Sequence, residues 1–232
     1  YRLCSTKGEE RSFCSLLSVE QRGGQILLDG LRAAGADVSF VRVLKSCRTG
    51  HAIIQVDPSG QNCILLFGGA NQAVTDMQIE ETLSRFGAGD FLLLQNEING
   101  LEQLMEKAAE KEIRIAFNPS PIDGKISQLP LEKVEFFLLN EIEGAALGGG
   151  NRPEEILEGL KKRYPKAKIV LTLGKEGALY FDGEKTFFQP GNENRTEFQP
   201  LCRMDRHQLQ GVFPFARLIV ASFQRCMRQE SR

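Results

Sequence analysis

The chain has 232 residues, 41% of them hydrophobic, which is enough for a sizeable core and makes one α/β domain the default. Its 29 basic and 30 acidic side chains leave a net charge of −1, which argues against nucleic acid and anionic membranes as partners. No apolar run reaches the ~18 residues needed to cross a bilayer, Tyr1-Arg2-Leu3-Cys4 lacks the apolar core of a secretory signal, and six scattered cysteines without a Cys-x-x-Cys pair point away from a metal or redox motif, so a cytoplasmic protein with free thiols is expected.

Residues 1–23 show neither a period of 2 nor one of 3.6, and they read as an atypical N-terminal segment. From Gly24 the pattern becomes orderly, and residues 24–190 read as the core. Ile26, Leu27, Leu31 and Ala34 form a helical stripe that Gly35 ends. Residues 38–43 read as a short strand. Residues 49–56 and 63–67 read as strands joined by Asp57-Pro58-Ser59-Gly60, so a hairpin over about 49–67 is expected. Gly68-Gly69-Ala70-Asn71 follows as a loop. Thr75-Asp76-Met77-Gln78 is a capping box for a helix that turns Ile79, Leu83 and Phe86 inward. Residues 91–94 form a buried strand ending at Gln95-Asn96-Glu97. Residues 101–110 form a helix with Leu101, Leu104, Met105 and Ala108 on one face. Residues 113–117 form a strand ending at Asn118-Pro119.

A buried strand at 136–139 then runs into Asn140-Glu141-Ile142-Glu143 and a helix, and a further helix covers 153–163 with Pro153 at its start. A strand at 168–172 ends in the turn Leu173-Gly174-Lys175-Glu176-Gly177. Strands at 178–181 and 186–188 meet about Asp182-Gly183. Alternating strands and helices imply βαβ units and a mainly parallel sheet, with the 49–67 hairpin as its antiparallel part. After Pro190 the character changes: residues 191–232 carry seven arginines and no lysine, against eleven lysines and seven arginines in 24–190, and they read as an atypical C-terminal segment. Loss of pattern on both sides of an orderly middle fits ends translated out of frame, the alternative being real but divergent ends.

Two successive strands deliver polar groups and glycines to their carboxyl ends, the edge where open parallel sheets bind ligands. Asn140 and Glu143, three apart, share the first turn of a helix. Their oxygens suit a hydrated Mg²⁺; the alternative is a helix cap with an acid favoured by the dipole. Gly174 and Gly177 allow backbone N–H groups to approach a phosphate, or simply form a strand-end turn. Glu97 also ends a strand on such an edge, where a solvated loop carboxylate is the alternative to a ligand contact. His51 and His207 lack partners at metal or triad spacing and receive no role.

These residues resemble the motifs of the ribokinase, or PfkB-type, sugar kinase family. Asn140-Glu141-Ile142-Glu143 resembles the family's Asn-x-x-Glu, which orders Mg²⁺ and phosphate. Thr172-Leu173-Gly174-Lys175-Glu176-Gly177 resembles its nucleotide-site turn, Thr-x-Gly-x-x-Gly. Gln95-Asn96-Glu97, Asn118-Pro119-Ser120-Pro121 and Gly69-Ala70-Asn71-Gln72-Ala73 extend the resemblance, which runs from about Gly24 to Pro190. It implies a ribokinase-like three-layer α/β/α sandwich with a mainly parallel sheet and a small β lid, incomplete at both ends. It implies ATP and Mg²⁺ as cofactors, with a monovalent cation as an option, and a sugar hydroxyl as phosphoryl acceptor. Asn140, Glu143, Thr172, Gly174 and Gly177 fall on the cofactor positions, Glu143 on the metal position and Glu97 on a sugar-contacting acid. A homodimer through the lid is a further option.

Gly87-Ala88-Gly89-Asp90 matches the letters of the family's Gly-Ala-Gly-Asp, whose Asp is the general base and whose glycine N–H groups form an anion hole at a helix start. Here it ends a helix, precedes a strand and lies upstream of Asn140, so it reads as a helix cap and no catalytic residue is assigned. The first sugar-binding segment and a downstream Gly-Ala-Gly-Asp are missing from the pattern, so impaired phosphoryl transfer is expected; loss of a general base alone is worth ~10²–10⁴-fold. The alternative is a non-catalytic fragment that binds nucleotide or a partner.

Overall fold

The computed structural model describes residues 2–5, 12–15, 18–20, 24–33, 36–56 and 62–191. They fall into two compact units that divide between Val134 and Glu135. The first unit contains β1 (Arg2–Ser5), β2 (Ser12–Ser15), β3 (Ser18–Glu20), α1 (Gly24–Ala33), β4 (Ala36–Asp37), β5 (Arg42–Leu44), β6 (His51–Val56), β7 (Asn62–Phe67), α2 (Asp76–Leu83), β8 (Phe91–Gln95), α3 (Leu101–Glu110) and β9 (Arg114–Asn118). Its main sheet has the order β9-β8-β1-β2-β4. The β8–β9 and β2–β4 pairs are parallel, and β1 runs antiparallel to both β2 and β8. Two small sheets accompany it, a parallel β3–β5 pair and the antiparallel β6–β7 hairpin.

Burial explains why these stretches take these forms. Phe91, Leu92 and Leu94 of β8 are all buried, as are Ile115, Ala116 and Phe117 of β9. Such continuous apolar runs suit strands covered on both faces. In α3 the buried residues are Leu101, Leu104, Met105 and Ala108, the expected stripe at helical spacing. Thr75 caps α2, accepting a hydrogen bond from Gln78 N at 3.2 Å, and Ile79 and Leu83 are buried, while Phe86 is half-buried.

Several expectations are corrected. Residues 1–23 carry three strands, and β1 lies between β8 and β2. A strand of three or four residues places at most two side chains on each face, too few for a period to register. The strand expected over 38–43 is broken. Asp37 Oδ1 accepts from Ser39 N at 2.8 Å and Val41 N donates to Val38 O at 3.0 Å, a local turn that competes with the ladder until β5 begins at Arg42. Helix α1 buries Gly24 and Leu28 and leaves Ile26 and Leu27 outward, at 79% and 42% exposure, so the expected stripe is displaced. Ala34, Gly35 and the Asp57–Gly60 turn lie outside the described residues. Gly69–Gln72 is a turn of 3-10 helix rather than an open loop.

The second unit contains β10 (Val134–Asn140) from its second residue on, α4 (Glu141–Gly148), α5 (Pro153–Arg163), β11 (Lys168–Thr172), β12 (Gly177–Phe181) and β13 (Thr186–Pro190). Its strands follow the order β13-β12-β11-β10. The β10–β11 pair is parallel and joined by the α4–α5 crossover, as parallel neighbours require; the other two pairs are antiparallel. The helices cross at glycines. A Cβ on Gly159 would lie 1.9 Å from Gly148 O, and one on Gly144 would lie 2.7 Å from Ile156 Cγ2. Pro153 opens α5 at the position where its missing N–H costs nothing. Each unit thus has the expected α/β character. Among the described residues, no helix is long and apolar enough to cross a membrane, and Cys47 and Cys63 are free thiols.

Candidate functional site

The second unit brings the two best motifs side by side. The β10–β11 register pairs Asn140 with Thr172, so both motifs leave the sheet at the carboxyl ends of adjacent parallel strands. Thr172 Oγ1 donates to Leu139 O at 3.2 Å and ties the two ends together. Residues 136–139 and 169–171 supply the apolar strand cores, with Phe137, Leu139, Ile169 and Leu171 buried.

At Asn140 the chain turns into α4 through a reciprocal cap. Asn140 Oδ1 accepts from Glu143 N, Glu143 Oε2 accepts from Asn140 N, and Glu143 Oε1 accepts from Asn140 Nδ2, each at 2.9 Å. The capping alternative is therefore present in full. It does not exhaust the side chain. Glu143 is only 4% exposed, and its oxygens each accept one bond out of roughly two lone-pair sites apiece. No described lysine or arginine forms an ion pair with it. Carboxylates buried this far are ordinarily paired or set against a cation. The helix N-terminus offsets part of that cost through its dipole. No group of three or more His, Cys, Asp or Glu side chains capable of holding a metal occurs among the described residues. A cation at Glu143 would accordingly keep most of its ligands as water, which is the habit of Mg²⁺. The residues present fit such an ion.

After Thr172 the chain makes one turn of 3-10 helix, Gly174–Glu176, before β12. Glu176 N donates to Leu173 O at 3.0 Å and Leu173 N to Gly177 O at 2.8 Å. The leading N–H groups of such a turn have no partner inside it. The two glycines differ in what surrounds them. Gly174 is exposed at φ +54, and a Cβ there would meet nothing within 4 Å. Gly177 is buried at φ +126, and a Cβ there would lie 2.0 Å from Gln189 O. Gly177 therefore admits the β13 backbone, whereas Gly174 faces open space.

Glu97 belongs to the first unit, in an exposed turn after β8. Gln95 pairs with Asn118 across the β8–β9 ladder, so their loops start together. Asn96 N donates to Ser120 O at 3.1 Å, Asn96 Nδ2 to Pro121 O at 2.6 Å, and Ser120 N to Asn118 Oδ1 at 2.8 Å. Asn118 and Pro119 thus shape the loop. The other side of the Glu97 loop is held by residues that sequence reasoning left without a role. Gln72 Nε2 donates to Glu97 O at 2.8 Å, and Asn99 brackets Val74, accepting from its N at 3.0 Å and donating to its O at 2.7 Å. The signal that marks them is an amide side chain at the end of a helical turn, Gln72, or just before a helix, Asn99.

Gly87-Ala88-Gly89-Asp90 closes on itself. Gly87 N donates to Asp90 Oδ2 at 2.9 Å, Asp90 N donates to Gly87 O at 3.0 Å, and Asp90 is 2% exposed. The turn feeds β8 and does not open a helix; α2 is already capped at Ser84.

A family model described as pfkB family carbohydrate kinase matches residues 15–196. The ribokinase of Haemophilus influenzae is 26% identical over 162 residues, covering 67% of this chain and 53% of that protein. The ribokinase of Arabidopsis thaliana is 27% identical over 182 residues, covering 73% of this chain and 48% of that protein. The chain spans about half the length of these relatives. Among solved structures, the ribokinase of Cryptococcus neoformans var. grubii in complex with ADP superposes with a TM-score of 0.65 at 21% identity, covering 82% of this chain and 71% of that one. The Arabidopsis thaliana ribokinase complexed with ribose and ATP gives a TM-score of 0.64 at 22% identity, with 78% and 61% covered. These likenesses show a ribokinase-like α/β fold.

Proposed function

The chain belongs to the pfkB family of carbohydrate kinases, and we propose that it serves the ATP-dependent phosphorylation of a sugar hydroxyl. The observation that carries this is the pairing of Asn140 with Thr172 at one strand edge, with the buried carboxylate of Glu143 behind it. Asn140 and Glu143 would orient hydrated Mg²⁺ and phosphate, and Mg²⁺ would supply charge neutralisation of the phosphoryl oxygens. Thr172 and the N–H groups of the Gly174–Glu176 turn would lie along the nucleotide phosphates, with Gly177 holding that turn to β13. Glu97 would accept hydrogen bonds from sugar hydroxyls. A monovalent cation as activator and a homodimer through the β6–β7 hairpin complete the reading. The free thiols Cys47 and Cys63 support a cytoplasmic setting.

The test is titration of the full chain with Mg-ATP, followed by sugar-dependent ADP release. Glu143→Gln keeps an oxygen for the cap and removes the charge. We expect it to weaken Mg-ATP binding about tenfold or more, the usual cost of disturbing a group that orients a metal's ligands. Equal affinity in wild type and variant would overturn the assignment. A second reading, nucleotide binding without turnover, is favoured by the closed Gly87–Asp90 turn, whose buried acid is bonded to its own loop. Mg-ATP binding with no sugar-dependent ADP release selects it.

A further inference from the structure

We propose that Gln72 is a positioning residue that locks the loop bearing Glu97 to the root of the β6–β7 hairpin, so that hairpin and loop move as one body. The Gln72 side chain reaches the main-chain oxygen of Glu97 at 2.8 Å, and so fixes the backbone at that residue rather than its carboxylate. Gly68 makes room for it, since a Cβ there would lie 2.6 Å from Gln72 Cγ. One residue earlier, Asn71 O accepts from Asn99 N at 3.3 Å, and the Asn99 side chain holds both N and O of Val74. The strip 71–74 is thereby stitched to the loop 97–99 at several points.

The same strip is bound to the hairpin root. Ala70 N donates to Arg48 O at 2.7 Å. Gly69, at φ +48, would place a Cβ 2.4 Å from Arg48 O, and a Cβ on Gly50 would lie 2.6 Å from Gly68 O. The two chains leaving the hairpin therefore run backbone close to backbone, and glycine at 50 and 69 is what permits it. Above this root, Ile53, Leu65, Leu66 and Phe67 are 48–54% exposed. A two-stranded hairpin alone is marginal in water, so its position follows its root, and the root follows Gln72. The link to a sugar rests on the reading of Glu97 given above; the mechanical lock does not.

Hydrogen exchange of the full chain tests both halves in turn. Gln72→Leu keeps the stem and loses the donor. Without ligand, exchange at residues 68–70 and 97–99 is expected to quicken about fivefold, the equivalent of one lost hydrogen bond, with the β8 and α3 amides slower to respond and the melting temperature lowered by only about 2–4 °C. Wild-type exchange at these two segments overturns the lock, and so does equal acceleration throughout the unit, which marks an ordinary structural residue. D-ribose is then added. A wild type that slows exchange at hairpin and loop together, beside a variant that slows it only in the loop, supports the proposal. A variant that slows both overturns it. A wild type that ignores D-ribose removes D-ribose as the sugar that Glu97 would contact, and the ligand-free stage still decides the lock.

Discussion

Asn140 and Glu143 close a cap with their mutual hydrogen bonds, and the same geometry holds a buried carboxylate against Asn140, the register partner of Thr172. The two uses separate by substitution. Asn140→Ala removes the N-cap and is expected to cost about 0.5–2 kcal/mol in urea unfolding; no loss of stability would mean the cap is idle. Asp182 supplies a pH test. Its Oδ1 accepts from Lys185 N at 2.7 Å and from Glu184 N at 2.8 Å, and these bonds, Lys185 first, hold its pKa below the usual aspartate value against slight burial. The folded state thus binds protons less readily than the unfolded chain. The stabilisation is complete above the ordinary aspartate range and is lost as pH falls through the folded value. The urea midpoints of wild type and Asp182→Ala are therefore expected to differ at neutral pH and to converge on acidification. A gap that persists unchanged into acid would exclude this role.

At the scale of elements, the crossover from β10 to β11 depends on close approach of α4 and α5. Gly159→Ala would bring a methyl to 1.9 Å from Gly148 O. Overpacking of this kind costs about 1–3 kcal/mol. Gly124→Ala, where a Cβ meets nothing within 4 Å, is the control and is expected within about ±0.5 kcal/mol of wild type. Equal denaturation midpoints for the two variants would contradict the packing account. Helices α3 and α5 have the bounds expected from their sequence, because ten or eleven residues hold three turns of an apolar stripe. The strands in residues 1–23 and the break at 38–41 escape that logic. Short strands carry too little pattern, and the Asp37 turn is a local hydrogen bond that competes with the sheet.

At the scale of the whole molecule, the hairpin is the exposed apolar surface that the proposed homodimer would cover. Its cross-strand partners Ile53 and Leu65 are 53% and 54% exposed, and the His51 and Phe67 rings lie 5.0 Å apart. Leu65→Lys is expected to shift sedimentation from a concentration-dependent dimer to a monomer without changing the far-ultraviolet circular dichroism. Association that survives the charge would rule the hairpin out as the interface. Local pattern was enough to place the motifs and the order of strands and longer helices from His51 to Pro190, because periodicity, caps and turn residues are properties of neighbouring positions. Folding in three dimensions decided the rest. Whether Asn140 meets Thr172, whether Gly177 packs against Gln189, and whether Gln72 reaches Glu97 depend on residues 12 to 32 positions apart in the chain. Register and crossover bring such positions together, and a linear pattern does not record them.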